Sequence, residues 1–467
     1  MKIPSRLKVA EKDLSDKSEI SGKDILKAGL RHEPSANQPA FDYSEGFVKS
    51  GAARFGNALE NHPKIIAIIQ WSMVLVYFSL LFIPVWTAEP ETGLTARLLF
   101  WGIGWPLIVL SMMLFGRFWC GIFCPDGTLT EFVSKYGKKR SIPRWIRWKG
   151  WPCTVLVGTT LYGQMTGFYE YFLATLVLLG IPTCLALLTG YLYGNEKRVW
   201  CMYLCPGNGF FGLLAKLSFF HFHVDREKWK NFTGTVKRIN CAPLINIRQM
   251  TSTSACHACG RCSGYRNAVE FAARSPIQEI ISANPRSITG SELFLLVWGI
   301  TGICTMSLVW HTSRLYRWFI DWITAIGMPM HLNLPWWLAD SPVSFYRLFF
   351  IVITGTLLGL FVYVFLRMAG KLAGDAILWR QLAYCLIPLT GWSIFLGLCR
   401  IGFSIWQEYG VSLAWATPFE AVILIQATAV SCWLGRKTVM QRVSPARFAS
   451  LLLYCMPIAL LDFLWTF

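Results

Sequence analysis

Apolar runs long enough to cross a bilayer recur from Ile65 to Trp465, and basic residues collect between them. In hydrocarbon every backbone N–H and C=O must be satisfied within the protein, so runs of this length fold as helices. The fold class this predicts is an all-α polytopic membrane protein. Only 15% of the 467 residues are charged and 54% are hydrophobic, whereas a soluble domain carries about 25% charged residues. A soluble globular enzyme and a disordered chain are both excluded.

Nine spans fit the pattern: Ile65–Val85, Ala96–Phe115, Trp151–Phe168, Tyr171–Tyr191, Glu292–Trp310, Tyr346–Met368, Leu382–Leu398, Val411–Trp433 and Ala446–Trp465. The third is the weakest, with Gly and Thr among its apolar residues, a composition tolerated where helices pack together. The basic 116–150, 195–291, 369–381 and 434–445 segments then share one side with the polar N-terminal residues, and charge bias assigns that side to the cytoplasm. The net charge of +18, from 44 Lys and Arg against 26 Asp and Glu, reads as topology; nucleic acid is not expected as a partner. Membrane lipid is.

A nine-residue pattern, Arg-x-Trp-Cys-x3-Cys-Pro, repeats. Arg117-Phe-Trp-Cys120-Gly-Ile-Phe-Cys124-Pro-Asp-Gly127 recurs 81 positions later as Arg198-Val-Trp-Cys201-Met-Tyr-Leu-Cys205-Pro-Gly. Each copy follows a span and falls on the same side. The spacing predicts two thiols about one helical turn apart on one face. Two thiols cannot complete a cubane, but two copies held side by side can, so Cys120, Cys124, Cys201 and Cys205 are candidate ligands of one [4Fe-4S] cluster. Pro125 and Pro206 fix the backbone just beyond the last ligand. Arg117 and Arg198 are expected to anchor at lipid headgroups and compensate cluster charge; Trp119 and Trp200 suit either an aromatic belt or a shield against water.

A second set follows. Cys256-x2-Cys259-x2-Cys262 is a tight ligand run in which small Ala258 and Gly260 leave backbone amides free for cluster sulfur. A bacterial ferredoxin run would place its fourth cysteine where Arg266 stands. Cys241-Ala-Pro upstream looks like the surviving end of a decayed first run, so Cys241, Cys256, Cys259 and Cys262 are the candidate ligands of a second [4Fe-4S] cluster. Zinc is the competitor for four thiolates, but even x2 spacing favours iron–sulfur over a zinc ribbon. These eight metal-binding candidates leave Cys153, Cys184, Cys304, Cys385, Cys399, Cys432 and Cys455 as small buried hydrophobes. His257, inside the run, is expected to face solvent or to hydrogen-bond and tune the cluster. His221 and His223 suit packing. His311 and His331 lack a paired spacing that would support haem.

On these residues the chain resembles the membrane-bound 4Fe-4S polyferredoxins of the NapH and NosR kind, with a looser likeness to CcoG-type proteins. The resemblance spans about residues 65–280. It departs in retaining one plausible cluster in the ferredoxin-like run and in carrying five spans after residue 290. It implies an electron carrier in the bacterial inner membrane, linking a cytoplasmic or quinone-pool donor to a membrane or periplasmic redox partner such as a ferredoxin, flavodoxin, cytochrome or reductase subunit, with quinone or haem as a further cofactor. A redox-sensing or metal-centre assembly factor, and a structural subunit of a larger membrane complex, remain alternatives. The organisation expected is a cytoplasmic tail (1–60), a four-helix membrane unit with the first motif (61–194), a cytoplasmic iron–sulfur segment with the second motif and a small ferredoxin-like insert (195–290), and a five-helix bundle (291–467). Glu292 and Glu420 are the acidic residues near or inside spans, where charge can mark an ion path.

Overall fold

The structure is a computed structural model. It describes residues 47–466 apart from 88, 237–238, 251, 312, 328–342 and 441–443. Most of the expected N-terminal tail and His331 lie outside the described residues.

Among the described residues, eight helices are long and apolar enough to cross a membrane: Pro63–Thr87, Glu91–Phe115, Phe172–Tyr193, Gly290–Val309, Ser344–Leu372, Trp379–Glu408, Ala416–Val439 and Pro445–Thr466. Each overlaps one of the expected spans. The other expected span, Trp151–Phe168, is represented by a 16-residue helix, Trp151–Thr166, which ends where Gly167 adopts a left-handed conformation. At 1.5 Å per residue it reaches about 24 Å, short of a hydrocarbon core of about 30 Å.

The apolar helices are not equivalent. Gly290–Val309 and Trp379–Glu408 are mostly buried inside the protein, whereas Pro63–Thr87 is largely exposed, with Ile68, Leu75 and Trp86 on its outer surface. The exposed side chains are apolar, as a lipid-facing surface requires. Close helix packing explains part of this burial. A Cβ at Gly302 would stand 2.4 Å from the Gly355 carbonyl oxygen, so only glycine there lets the 290–309 and 344–372 helices approach this closely.

Two acidic residues take structural places. Glu420 pairs with Arg400 (2.8 Å), which also donates to the Trp465 carbonyl. Glu292 closes a capping box with Thr289 at the start of the 290–309 helix. Both carboxylates are therefore engaged locally, in a salt bridge and in a helix cap.

The 195–290 segment contains a two-stranded antiparallel sheet, β1 (Phe220–Val224) paired with β2 (Val269–Ala273). The helix Phe47–Asn61 packs on it through Phe55, whose ring lies 5.8 Å from Phe271 and 5.9 Å from Phe118. A buried ion cluster ties this segment to the bundle. Glu279 receives Arg274 (2.5 Å), Lys216 (3.3 Å), Ser252 (2.5 Å) and Thr253 (2.8 Å), while Lys216 lies over the Tyr384 ring of the 379–408 helix. Burial works against the Glu279 charge, but Lys216 and Arg274 outweigh it and hold the carboxyl below its ordinary range. Replacing Glu279 with Ala strands two buried cations, which costs about 3–5 kcal/mol. The thermal unfolding midpoint in detergent should fall clearly; a midpoint within error of wild type would refute this role.

Candidate metal centre

Each copy of the repeated motif makes the same local bend. Cys124 N–H donates to the Trp119 carbonyl and Cys205 N–H to the Trp200 carbonyl, both at 2.9 Å and both reaching back five residues. The turn is therefore wider than the α-helical turn expected from Cys-x3-Cys spacing. Trp119–Phe123 forms a π turn, and Cys124 leaves it in extended backbone. Pro, lacking an N–H, is suited to the first position of a helix: Pro125 opens the helix Pro125–Lys135 directly after Cys124, and Pro206 caps the helix Gly207–Leu214, which starts two residues after Cys205. Each motif thus presents one thiol within a helical turn and one at a helix start. π turns of this kind recur at functional sites.

The two copies meet. Cys120, Cys124, Cys201 and Cys205 lie close enough that Cys124 would be repelled, as a thiolate, by each of the other three. Burial, with this mutual repulsion, pushes Cys124 and Cys201 well above the ordinary thiol range and Cys205 up to about 12. Cys241, Cys256, Cys259 and Cys262 form a second group, in which Cys262 faces the other three in the same way. Burial first, then neighbouring thiols, raises Cys241 and Cys262 and takes Cys256 up to about 12. Four thiols gathered in one place would ionise together only with cationic compensation, which an iron–sulfur core would supply.

The second group is assembled from distant segments. The backbone N–H of Arg198 donates to the Ala242 carbonyl (3.0 Å) and Lys197 to the Cys241 carbonyl (3.0 Å), which seats Cys241 beside the second repeat. The 256–262 loop turns through left-handed residues at Ala258 and Gly260, and the Ala258 N–H donates to Cys256 Sγ at 3.4 Å. Arg266, where a ferredoxin run would carry cysteine, stacks on Trp229 at 5.0 Å.

Three expectations need correction. Arg117 and Arg198 are not at headgroup level: they are 2% and 1% exposed. Arg117 donates to the Ser254 carbonyl (2.7 Å), and Arg198 donates to the Cys120 carbonyl (2.6 Å) and pairs with Glu131 (2.8 Å). Trp200 is buried, which removes it from any aromatic belt. His257 does not face solvent; it is 1% exposed, and neither ring nitrogen has a partner. Burial first, then the charges of Arg117 and Arg198, pushes its basicity down. As for the remaining histidines, His221 and His223 sit on β1, and His311 lies beside Trp310.

Sequence reasoning missed Glu131. It carries no motif signal, yet it also pairs with Arg261 of the 256–262 loop at 2.7 Å. Asp126 was also passed over. It accepts from Thr183 (2.7 Å), which is hydrogen-bonded to Tyr77 (2.8 Å), and burial raises its carboxyl to about 6.

A cavity of about 500 Å³ adjoins the first group. Its wall includes all four thiol residues, Arg117, Asp126 and Gly207. It continues along Met73, Ile108, Leu156, Leu178 and Leu398 and is overwhelmingly apolar, with Tyr77, Thr159, Thr160, Gln164 and Ser307 as the polar interruptions. Among the described residues, no three His, Cys, Asp or Glu side chains converge tightly enough to hold a single metal ion.

Comparison with known proteins agrees with this chemistry. The family described as a 4Fe-4S binding domain matches residues 98–143 and 173–226, taking in each copy of the motif once. A curated relative, the "Putative electron transport protein YccM" of Escherichia coli (strain K12), is 25% identical over 258 residues, covering 47% of this chain and 70% of that protein. No solved structure matches.

Proposed function

We propose that this protein is a membrane-bound iron–sulfur electron carrier holding two [4Fe-4S] clusters, one on Cys120, Cys124, Cys201 and Cys205 and the other on Cys241, Cys256, Cys259 and Cys262. The observation that carries the reading is the convergence of eight thiols, Cys120 and Cys201 buried and the other six half-buried, into two separate groups of four. The doubled 4Fe-4S family match and the electron-transport relative support the same chemistry. The clusters supply one-electron chemistry. The chain supplies burial, thiolate ligands and unpartnered N–H donors, the levers that tune potential.

The convergence also supports nine crossings. For Cys124 and Cys205 to meet on one face, the chain between them must cross and return. Phe172–Tyr193 supplies one crossing, so the short Trp151–Thr166 helix supplies the other, at a place where the bilayer thins or neighbouring residues complete the span. Charge bias puts both centres on the cytoplasmic side of a bacterial inner membrane. The NapH and NosR likeness, rather than a transporter, fits the local engagement of Glu292 and Glu420.

Lipid quinol is the donor we favour. The apolar cavity beside Cys120, Cys124, Cys201 and Cys205 opens along membrane helices, suiting an isoprenoid-tailed ring, and its few polar groups suit a carbonyl or hydroxyl head. A ferredoxin, flavodoxin, cytochrome or reductase subunit would then take the electron at the second centre.

The test is anaerobic purification followed by iron and acid-labile sulfide analysis with electron paramagnetic resonance (EPR). About eight of each per chain are expected from two cubanes. Stoichiometric zinc without labile sulfide would overturn the assignment. Quinol specificity is checked separately: a short-chain quinol should bleach the cluster absorbance in detergent, and Leu156→Trp, which fills the cavity, should slow that reduction while leaving dithionite reduction unchanged.

A further inference from the structure

The repeated motif places an arginine three residues before the first cysteine of each copy, and both arginines end up between the two thiol groups. Arg117, in the turn that carries Cys120, donates to the Ser254 carbonyl two residues before Cys256 (2.7 Å). The backbone N–H of Arg198, three residues before Cys201, donates to the Ala242 carbonyl beside Cys241 (3.0 Å). Arg198 also holds the Cys120 carbonyl and Glu131, and Glu131 reaches across to Arg261 in the second loop. One clamp therefore joins both groups.

The backbones touch at the same place. A Cβ at Gly121 would stand 2.1 Å from the His257 carbonyl oxygen and 3.0 Å from Cys259 Cα and N. No side chain fits there, so the residue after Cys120 lies directly against the segment between Cys256 and Cys259. Both His257 ring nitrogens and Arg117 Nε are buried there without partners. Arg117 Nε and the one protonated ring nitrogen of neutral His257 are donors, costly to bury unless an acceptor meets them. Cluster sulfur is such an acceptor.

Resting on the two-cluster reading, we propose that Gly121, His257, Arg117 and Arg198 form the junction through which the two centres exchange electrons, and that each arginine sets the potentials of both centres together. The exchange is a one-electron transfer: the reduced centre is oxidised, its neighbour is reduced, and no bond or proton changes place. Arg117, Arg198 and Gly121 are positioning residues. A purely structural role would leave potentials and magnetic coupling untouched once the iron is retained.

The experiment uses the full chain in detergent, prepared anaerobically. If wild type lacks about eight irons and sulfides, the two-cluster reading fails and the junction with it. If it holds both clusters, the fully dithionite-reduced protein should show spin–spin splitting that is absent when only one centre is reduced. Uncoupled wild-type spectra would overturn the junction alone. Gly121→Ala should weaken the splitting at unchanged iron content. Arg117→Gln, which removes a positive charge near both centres, should move both midpoint potentials to more negative values in a redox titration. A shift of only one potential, or of neither, would overturn the shared role. Should Gly121→Ala lose iron, the wild-type spectra and the Arg117→Gln titration decide the matter.

Discussion

Cys120→Ser and Cys201→Ser should each halve the iron and acid-labile sulfide, from about eight to about four per chain, and the double variant should lose no more than either single one. The reason is geometric. The two cysteines lie 81 positions apart in separate copies of a repeat, but each is close to Cys124 in the folded chain. If they serve one centre, removing either ligand disables it, and the second removal has nothing further to take. Independent metal sites in each repeat would instead make the losses add. Cys241→Ser supplies the contrast, because Cys241 lies with Cys256, Cys259 and Cys262. Combined with Cys120→Ser it should bring the content close to zero. Iron and sulfide assays on the three single and two double variants decide between these patterns. Additive loss in the Cys120/Cys201 pair would dissolve the shared site.

Much of the helical layout is legible in the sequence because lipid leaves few options. An apolar run of twenty residues has one satisfactory backbone solution, so the Ala446–Trp465 expectation differs from the observed Pro445–Thr466 by a residue at each end. The 151–166 helix resists because its length is marginal, and length is the signal the sequence offers. Packing is less legible. Nothing in the hydropathy of Trp379–Glu408 says that it sits at the centre of the bundle. That place follows from contacts with several other helices.

The candidate thiols are legible from their spacing, since cysteines close in sequence announce themselves. What holds them is not. Arg117 and Arg198 have the composition of headgroup anchors, and a basic residue at a span's end is ordinarily just that. Their burial depends on carbonyl and carboxylate partners at Ser254, Cys120 and Glu131, which come from other segments. His257 was misplaced for the same reason. A polar residue in a loop reads as exposed until a second loop, here around Gly121, closes over it. The π turn at Trp119–Phe123 also escaped, because a shift from a four-residue to a five-residue hydrogen bond leaves no trace in composition.

Glu131→Ala should destabilise the protein by about 3–5 kcal/mol at neutral pH and loosen both thiol groups at once. Glu131 accepts from Arg198 at 2.8 Å and from Arg261 at 2.7 Å, and the Arg198 side chain is almost wholly buried. Removing the carboxylate leaves that guanidinium with carbonyl partners but no countercharge, and arginine cannot escape by losing its proton. Because the carboxylate ties the second cysteine repeat to the 256–262 loop, iron should leak from both centres faster than in wild type when a chelator is present. The pH dependence follows from the direction of the shift. Burial opposes ionisation of Glu131, but Arg198 and then Arg261 outweigh it and hold the carboxyl below its ordinary range. Its contribution is therefore complete above the unfolded value of about 4.3 and is lost as pH falls through the lower folded value. The gap in unfolding midpoint between wild type and Glu131→Ala should be wide and constant from pH 8 down to about 5, and should narrow only below the ordinary carboxylate range. Glu131→Gln, which keeps the shape and one acceptor, should fall between the two. A gap that is small at neutral pH, or that does not close on acidification, would show that the Arg198–Glu131–Arg261 clamp does not hold the two sites together.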